Sequence, residues 1–285
     1  MWQKTVLDPG LYLVSTPIGA ARDITLRALD TLASAEMLAA EDTRTLRRLM
    51  EIHGVPLAGR PLVAYHDHNG AKHRPKLLAA LAEGKSLAYA SEAGTPLIAD
   101  PGFALARDAI AAGRKVVSVP GASALLAALA VAGLPTDRFL FAGFVPPSKV
   151  ARRKFLGGLA GTDATLVFYE SPKRVGELLG EMVRCFGAER RAAVCRELTK
   201  KFEEARRGTL GELAGQYSSG EARGEFVVLV DRAGKAEVSA ETIEAALRDA
   251  LAGASVKDAA EAVSEALGLP RREMYQAALR LAGER

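Results

Sequence analysis

The chain has 285 residues, 38 Lys+Arg against 34 Asp+Glu, a formal net charge of +4 and a hydrophobic fraction of 49%. That length holds one large domain or two modest ones, and the apolar fraction excludes intrinsic disorder. Two cysteines, Cys185 and Cys195, exclude a disulfide scaffold, and no run of 18 apolar residues exists to span a membrane.

The elements fall in three segments. In the first, from Met1 to about Pro120, Leu11-Tyr12-Leu13-Val14-Ser15 reads as a buried strand that ends in the turn Thr16-Pro17-Ile18-Gly19. Asp23 is the expected N-cap of a helix carrying Ile24, Leu26, Leu29 and Leu32. A strand at Met37–Ala40 and a basic helix with Arg44, Arg47 and Arg48 follow. Further strands are expected at Leu62–Tyr65, Ser86–Ala90 and Val116–Pro120. Strands alternating with helices argue for βαβ units and a mostly parallel sheet.

The second segment, 121–232, opens with an Ala/Leu-rich helix from Ser123 to Val131 that stops at Gly133. Strands at Phe139–Phe141, Thr165–Tyr169, Ala192–Cys195 and Phe226–Val230 give it a sheet of its own. A linker at Ala233-Gly234-Lys235-Ala236 leads to the third segment, 239–285, where apolar residues recur at helical spacing from Ile243 to Leu279. The expected architecture is therefore two α/β domains plus a small C-terminal helical domain resembling a helix-turn-helix.

Several runs could carry chemistry. The turn after the first strand sits where open α/β sheets hold their ligands, although it also reads as an ordinary βα turn and is not G-x-G-x-x-G. Ser91 to Gly102 packs two Gly and two Pro into twelve residues. Its backbone would offer donors and acceptors in a fixed shape, which suits a zwitterionic small molecule; a rigid structural loop is the alternative. Val119 to Ala124 links the two halves and would touch a ligand between them. Ala40-Glu41-Asp42-Thr43-Arg44 places two carboxylates at a strand end, for proton transfer or for capping the next helix. Phe168 to Arg174 and Arg196 to Lys201 both run from apolar strands straight into charges, and two such ends on one sheet would converge along one edge. His66-Asp67-His68 and His73 share no nearby Cys and do not make a convincing zinc set; contact with a partner is the preferred reading.

The charge is uneven. From Pro146 to Leu210 there are 14 Lys/Arg against 8 Asp/Glu, whereas 239–285 holds 6 against 8. The local excess includes Arg152, Arg153, Lys154, Lys173, Arg174 and Lys201. Clustered cations of this kind suit an RNA backbone, or simply a solvated face.

Together these motifs resemble the tetrapyrrole methylase superfamily of S-adenosylmethionine-dependent methyltransferases. The resemblance runs in order along nearly the whole chain, through Leu11–Gly19, Asp23–Leu29, Ala40–Arg44, Ser91–Gly102, Pro120–Ala124, Gly133–Phe139, Phe168–Arg174 and Arg196–Lys200. The glycine turn and the Pro-Gly linker are shared across the superfamily, whereas Ala-Glu-Asp-Thr-Arg, Tyr-Glu-Ser-Pro and Arg-Glu-Leu-Thr-Lys are more specific to the branch that acts on ribosomal RNA. Ala20, Glu92, Ala99 and Ala122 depart from the usual Asn, Asp, Ser and Pro.

Two cysteines without metal-ligand spacing suit a reduced, cytoplasmic setting, and the resemblance implies a homodimer that binds S-adenosylmethionine in a cleft between its two α/β domains. It implies methylation of the ribose 2′-hydroxyl of a cytidine in 16S rRNA, at the decoding centre of the small ribosomal subunit. By the superfamily pattern, cofactor contacts fall on Pro17, Gly94, Thr95, Ile98, Ser123, Ala124, Glu170 and Leu198. Glu41 is the first candidate base and Asp42 the second, with Lys200 and Arg44 holding RNA phosphate or assisting ionisation of the hydroxyl. No membrane and no metal is implied. A methyltransferase acting on a small molecule and a non-enzymatic RNA-binding protein are the competing classes.

Overall fold

The computed structural model describes residues 2–66, 69–218, 222–234 and 240–283. Asp67 and His68 of the histidine cluster, Lys235 and Ala236 of the expected linker, and Ser239 lie outside the described residues. The chain divides into two compact units, Met1–Arg232 and Ala233–Arg285.

The first unit carries two five-stranded sheets. In the N-terminal sheet, β1 (Gly10–Val14), β2 (Met37–Ala40), β3 (Leu62–Ala64), β4 (Ser86–Ala90) and β5 (Val116–Val119) are all parallel, in the order β3-β2-β4-β1-β5. Every residue of β2 and β4 is buried, which explains why their sequences show apolar runs without alternation. Helices α1 (Leu26–Ser34) and α2 (Thr43–Ile52) bury Leu29, Leu32, Leu46 and Met50 on one face. Helices α3 (Gly70–Ala82) and α4 (Phe103–Ala111) bury Leu77, Leu81, Leu105 and Ala109 on the other.

The chain leaves β1 through α1 toward β2, but leaves β4 through α4 toward β5. Neighbouring β1 and β4 therefore send their connections to opposite faces, and a crevice opens at their carboxyl ends. The turn after β1 and the loop 91–102 after β4 meet there.

Asp23 is not the cap of α1. It lies in a short 3-10 turn, and Thr25 caps the helix by accepting from the Ala28 N–H at 3.1 Å. A Thr with extended backbone one residue before the first helical turn fills the role, and Ile24 stays outside the helix.

The second sheet is mixed: β6 (Phe139–Phe144), β7 (Thr165–Glu170), β8 (Arg191–Arg196), β9 (Glu204–Thr209) and β10 (Phe226–Val230) in the order β6-β7-β10-β8-β9. Helix α5 (Ala124–Ala132), with Gly133 left-handed at its C-terminus, packs on one face with Ile18, Val167, Val227 and Leu229. Helices α6 (Lys149–Leu159), α7 (Val175–Phe186) and α8 (Leu210–Gln216) cover the other. Both β7 and β8 run antiparallel to β10, so their carboxyl ends emerge on the same edge. That edge holds Glu170 and Glu197.

The second unit is three helices, α9 (Ala240–Ala250), α10 (Val256–Leu267) and α11 (Arg271–Gly283), around Leu247, Val263, Met274 and Ala278. Left-handed Gly268 ends α10 ahead of Pro270.

Candidate active site

The first unit is stitched together by its loops. Thr16 and Gly94 exchange both backbone hydrogen bonds, at 2.9 and 3.0 Å, and the Thr16 hydroxyl donates to the Ser91 carbonyl at 3.2 Å. Gly94 has φ +79, a conformation that favours glycine. Thr95 accepts from the Ser15 hydroxyl at 3.2 Å and donates to the Ala122 carbonyl at 3.0 Å, fastening the loop to the interdomain segment. Tyr169 on β7 accepts from the Leu125 N–H at 3.0 Å and so anchors the start of α5.

Loop 91–102 is held under strain. Leu97 (φ +71) and Ala99 (φ +57) are both left-handed without being glycine. A second strained loop, with Glu197 (φ +49) and Thr199 (φ +65), ends β8. Such outliers cost of order 1–2 kcal/mol each and persist where surrounding contacts over-determine them. Here the contacts are visible: the Tyr89 hydroxyl donates to the Pro101 carbonyl at 3.0 Å, and the Thr199 N–H donates to Glu203 at 2.6 Å.

Between loop 91–102, the start of α5 and the carboxyl end of β7 lies a cleft of about 490 Å³. Six of the eight expected cofactor contacts line it: Gly94, Thr95, Ile98, Ser123, Ala124 and Glu170. Glu41, at the end of β2, also lines it. Pro17 lines an adjoining, more open depression of about 550 Å³, together with Asp42, Arg44 and Arg48. Leu198 lines neither and packs in the core beneath α5.

The lining of the main cleft is acidic. Glu41, Glu92, Asp100, Glu170 and Glu225 face it, and among the described residues no lysine or arginine does. Burial, and then the neighbouring charges of Glu41, Asp42 and Glu225, hold the Glu92 carboxyl above its ordinary range. Asp100 is pushed up to about 8, first by burial and then by its hydrogen-bonding contact with Glu41. Glu170 is buried; one of its oxygens accepts from the Ser171 N–H at 2.8 Å, and the other pairs with Arg174 at 3.3 Å.

Asp42 caps α2. It accepts from the Arg44 N–H at 2.7 Å and pairs with the Arg44 guanidinium at 2.7 Å. The Arg44 side chain, backed by its backbone N–H, lowers the Asp42 carboxyl to about 2. Lys200 pairs with Glu197 and Glu225, each at 2.9 Å. Burial alone would lower its ammonium, but the two carboxylates outweigh burial and raise it.

The expected RNA-facing cations separate into two groups. Arg152 is 3% exposed; it donates to the Pro146 and Pro147 carbonyls and to Glu177. Arg174 donates to the Val145 and Pro146 carbonyls and pairs with Glu170. Both guanidinium groups are structural ties, hydrogen-bonded to backbone carbonyls and paired with carboxylates, which leaves less of each for a phosphate. Arg153 is half-exposed but held by Glu181. Arg44, Lys154, Lys173 and Lys201 are exposed.

Sequence reading did not assign roles to Glu92, Asp100, Phe144, Tyr169 or Glu225. The two loop carboxylates stood inside the densest Gly/Pro run, and Tyr169 stood beside Glu170. Phe144 and Glu225 carried no signal, because only the sheet order brings β6 and the start of β10 to the cleft.

A family model described as Tetrapyrrole (Corrin/Porphyrin) Methylases matches residues 10–214, and one described as RsmI C-terminal HTH domain matches residues 236–282. A protein of Mesorhizobium japonicum named Ribosomal RNA small subunit methyltransferase I is 48% identical over 279 residues, covering 96% of this chain and 93% of its own. One so named from Pseudomonas aeruginosa is 43% identical over 280 residues, covering 96% of this chain and 98% of its own. Among solved structures, uroporphyrin-III C-methyltransferase from Thermus thermophilus, complexed with S-adenosyl homocysteine, shares the fold. Its TM-score is 0.52 at 22% identity, over 79% of this chain and 98% of that one.

Proposed function

The chain belongs to the tetrapyrrole methylase family, and from that premise we propose that it methylates the ribose 2′-hydroxyl of a cytidine in 16S rRNA, at the decoding centre of the small ribosomal subunit, using S-adenosylmethionine. The observation that carries this reading is the likeness to relatives named Ribosomal RNA small subunit methyltransferase I, which extends over 96% of the chain and so includes the helical unit as well as the sheets. The exposed cations Arg44, Lys154, Lys173 and Lys201 support an RNA substrate over a small pigment.

The residues present fit the cofactor. Five carboxylates line the cleft without a lysine or arginine among its described lining. That field favours a ligand carrying a sulfonium and an ammonium. Gly94, Thr95, Ile98, Ser123, Ala124 and Glu170 would hold it, largely through backbone. When bound, it supplies an electrophilic methyl group. The protein's part is alignment and proton removal. Glu41 is the base in this reading: it faces the cleft from the end of β2, whereas both Asp42 oxygens are engaged by Arg44. Lys200 is a positioning residue, tying the loop after β8 to Glu225.

We assign 1–120 and 121–232 as the two α/β domains and 239–285 as the helical domain. A cytoplasmic homodimer accords with the exposed Phe103 and Ile110, two turns apart on α4, and with the described helices, none of which is long and apolar enough to cross a membrane. The test is methyl transfer from labelled cofactor to 30S subunits, naked 16S rRNA and uroporphyrinogen, followed by mass spectrometry of the nucleosides. The expected product is 2′-O-methylcytidine. Label in uroporphyrinogen, or on a base, overturns the assignment.

A further inference from the structure

Two carboxylates of the cleft, Glu170 and Asp100, each have a buried oxygen with no hydrogen bond among the described residues; Glu170 pairs with Arg174, which leaves Asp100. Its Oδ2 is fully buried and accepts no hydrogen bond among the described residues. Glu41, another acceptor, lines the same cleft from the end of the neighbouring strand β2 and acts on the Asp100 carboxyl at hydrogen-bonding range. Two ionised carboxylates cannot share that contact in a half-buried site, whereas one protonated and one ionised carboxyl make a strong hydrogen bond. The loop enforces the meeting: left-handed Leu97 and Ala99 precede Asp100, and Gly102 follows it at φ +111, where a Cβ would lie 2.6 Å from the Tyr89 ring.

Resting on the function proposed above, we propose that Glu41 and Asp100 form a carboxyl pair holding a single proton, in which Asp100 is a positioning residue that donates to Glu41 and presents the remaining Glu41 lone pairs to the substrate hydroxyl. The groups that share the cleft with the pair are Ser91 and Glu92 from the same loop, Tyr169 and Glu170 from β7, and Glu225 ahead of β10. The nearby Arg44 is tied to Asp42. Burial, Glu41 and Glu92 act to keep the Asp100 proton on, and the Ser91 hydroxyl opposes them.

The step balances without a further reactant. The ribose oxygen forms a bond to the methyl carbon, the carbon–sulfur bond breaks with its electron pair staying on sulfur, and the hydroxyl proton passes to Glu41. The pair then holds two protons and returns one to solvent.

The pair also makes cofactor binding proton-linked. A cationic ligand in the cleft favours loss of the shared proton, and its thioether product, lacking the sulfonium charge, favours it less. The test is titration calorimetry of the full chain at pH 7.5 in buffers of different ionisation enthalpy, with S-adenosylmethionine and with S-adenosylhomocysteine. Wild type is expected to release a fraction of a proton with the first and less with the second; Asp100→Asn is expected to release none. No release in wild type, or equal release in Asp100→Asn, overturns the pair. Single-turnover methylation supplies the second arm. Asp100→Ala is expected to lose about 10²-fold and Asp100→Asn, whose amide still donates, markedly less; equal losses overturn the donor role. Calorimetry needs no RNA. Absent proton release with intact 2′-O methylation sinks the pair alone, and intact release without methylation sinks the reaction assignment alone.

Discussion

Gly19 and Lys200 touch across the two sheets of the first unit: a Cβ on Gly19 would lie 2.5 Å from Lys200 Cγ and 2.7 Å from Thr199 Oγ1. The Ala20 N–H donates to that same Thr199 hydroxyl at 3.1 Å. The turn after β1 therefore closes onto the strained loop after β8, and the closeness requires the absence of a side chain at Gly19.

Gly19→Ala should separate this junction. Lys200 cannot yield freely, because its ammonium is held by Glu197 and Glu225. The expected cost is about 1–3 kcal/mol of unfolding free energy, as for other overpacked sites, with weaker cofactor binding. Gly158→Ala is the control. Nothing lies within 4 Å of a Cβ there, inside α6, and the helix should gain about 0.5–1 kcal/mol. Urea denaturation of both variants gives the comparison, and a Gly19→Ala protein as stable as wild type would remove the junction's claim to be tight.

The basic segment should divide under mutation in the way its burial divides. Arg152→Ala removes the donor to the part-buried Pro146 and Pro147 carbonyls, at about 0.5–1.5 kcal/mol for each hydrogen bond lost. RNA affinity per folded molecule should not change. Lys154→Ala and Lys173→Ala should leave stability within about 0.5 kcal/mol, weaken RNA binding and each reduce the salt slope by about 1. Salt-dependent binding isotherms alongside thermal melts decide it; an unchanged slope in both lysine variants would move the RNA path elsewhere.

This division also marks the limit of what the sequence disclosed. Buried strands such as β1, β4 and β10 were legible because continuous apolar runs bounded by turn residues have few other uses. Strand β9, Glu-Ala-Arg-Arg-Gly-Thr, was not, because an edge strand pairs through backbone on one side and needs no apolar stripe. Arg152 and Lys154 look alike as letters; one points into carbonyls and the other into water only because α6 presents them in different directions. Glu41 and Asp100 were each visible, but their contact depends on β2 and β4 being neighbours in the sheet.

The two carboxylates at the end of β2 should behave differently. Glu41→Gln is expected to lower single-turnover methylation by about 10²–10³-fold, and Asp42→Asn far less. Asp42 should show itself in stability instead. Its carboxyl is lowered to about 2 in the folded chain, so its cap contribution is present above the unfolded carboxylate range near 4 and is lost as pH falls toward 2. Acid titration of Asp42→Asn against wild type should therefore show curves that differ at neutral pH and converge at the acid end. Equal catalytic losses for the two variants would undo the choice of Glu41.

In the strained loop, stability and activity should part. Ala99 is exposed and left-handed at φ +57, a conformation that costs a side-chain-bearing residue about 1–2 kcal/mol and costs glycine little. Ala99→Gly relieves that strain and adds about 0.5–1 kcal/mol of chain entropy to be lost on folding. The net expectation is a gain of about 0.5–1 kcal/mol, or roughly 1–3 °C in melting temperature for a unit of this size. The same freedom lets the adjacent Asp100 leave its contact with Glu41, so methyl transfer should slow while the protein becomes more stable. Melting temperature and single-turnover rate measured on one preparation test both halves together. A variant that melts higher and reacts at the wild-type rate would show that the left-handed turn is incidental to the placement of Asp100.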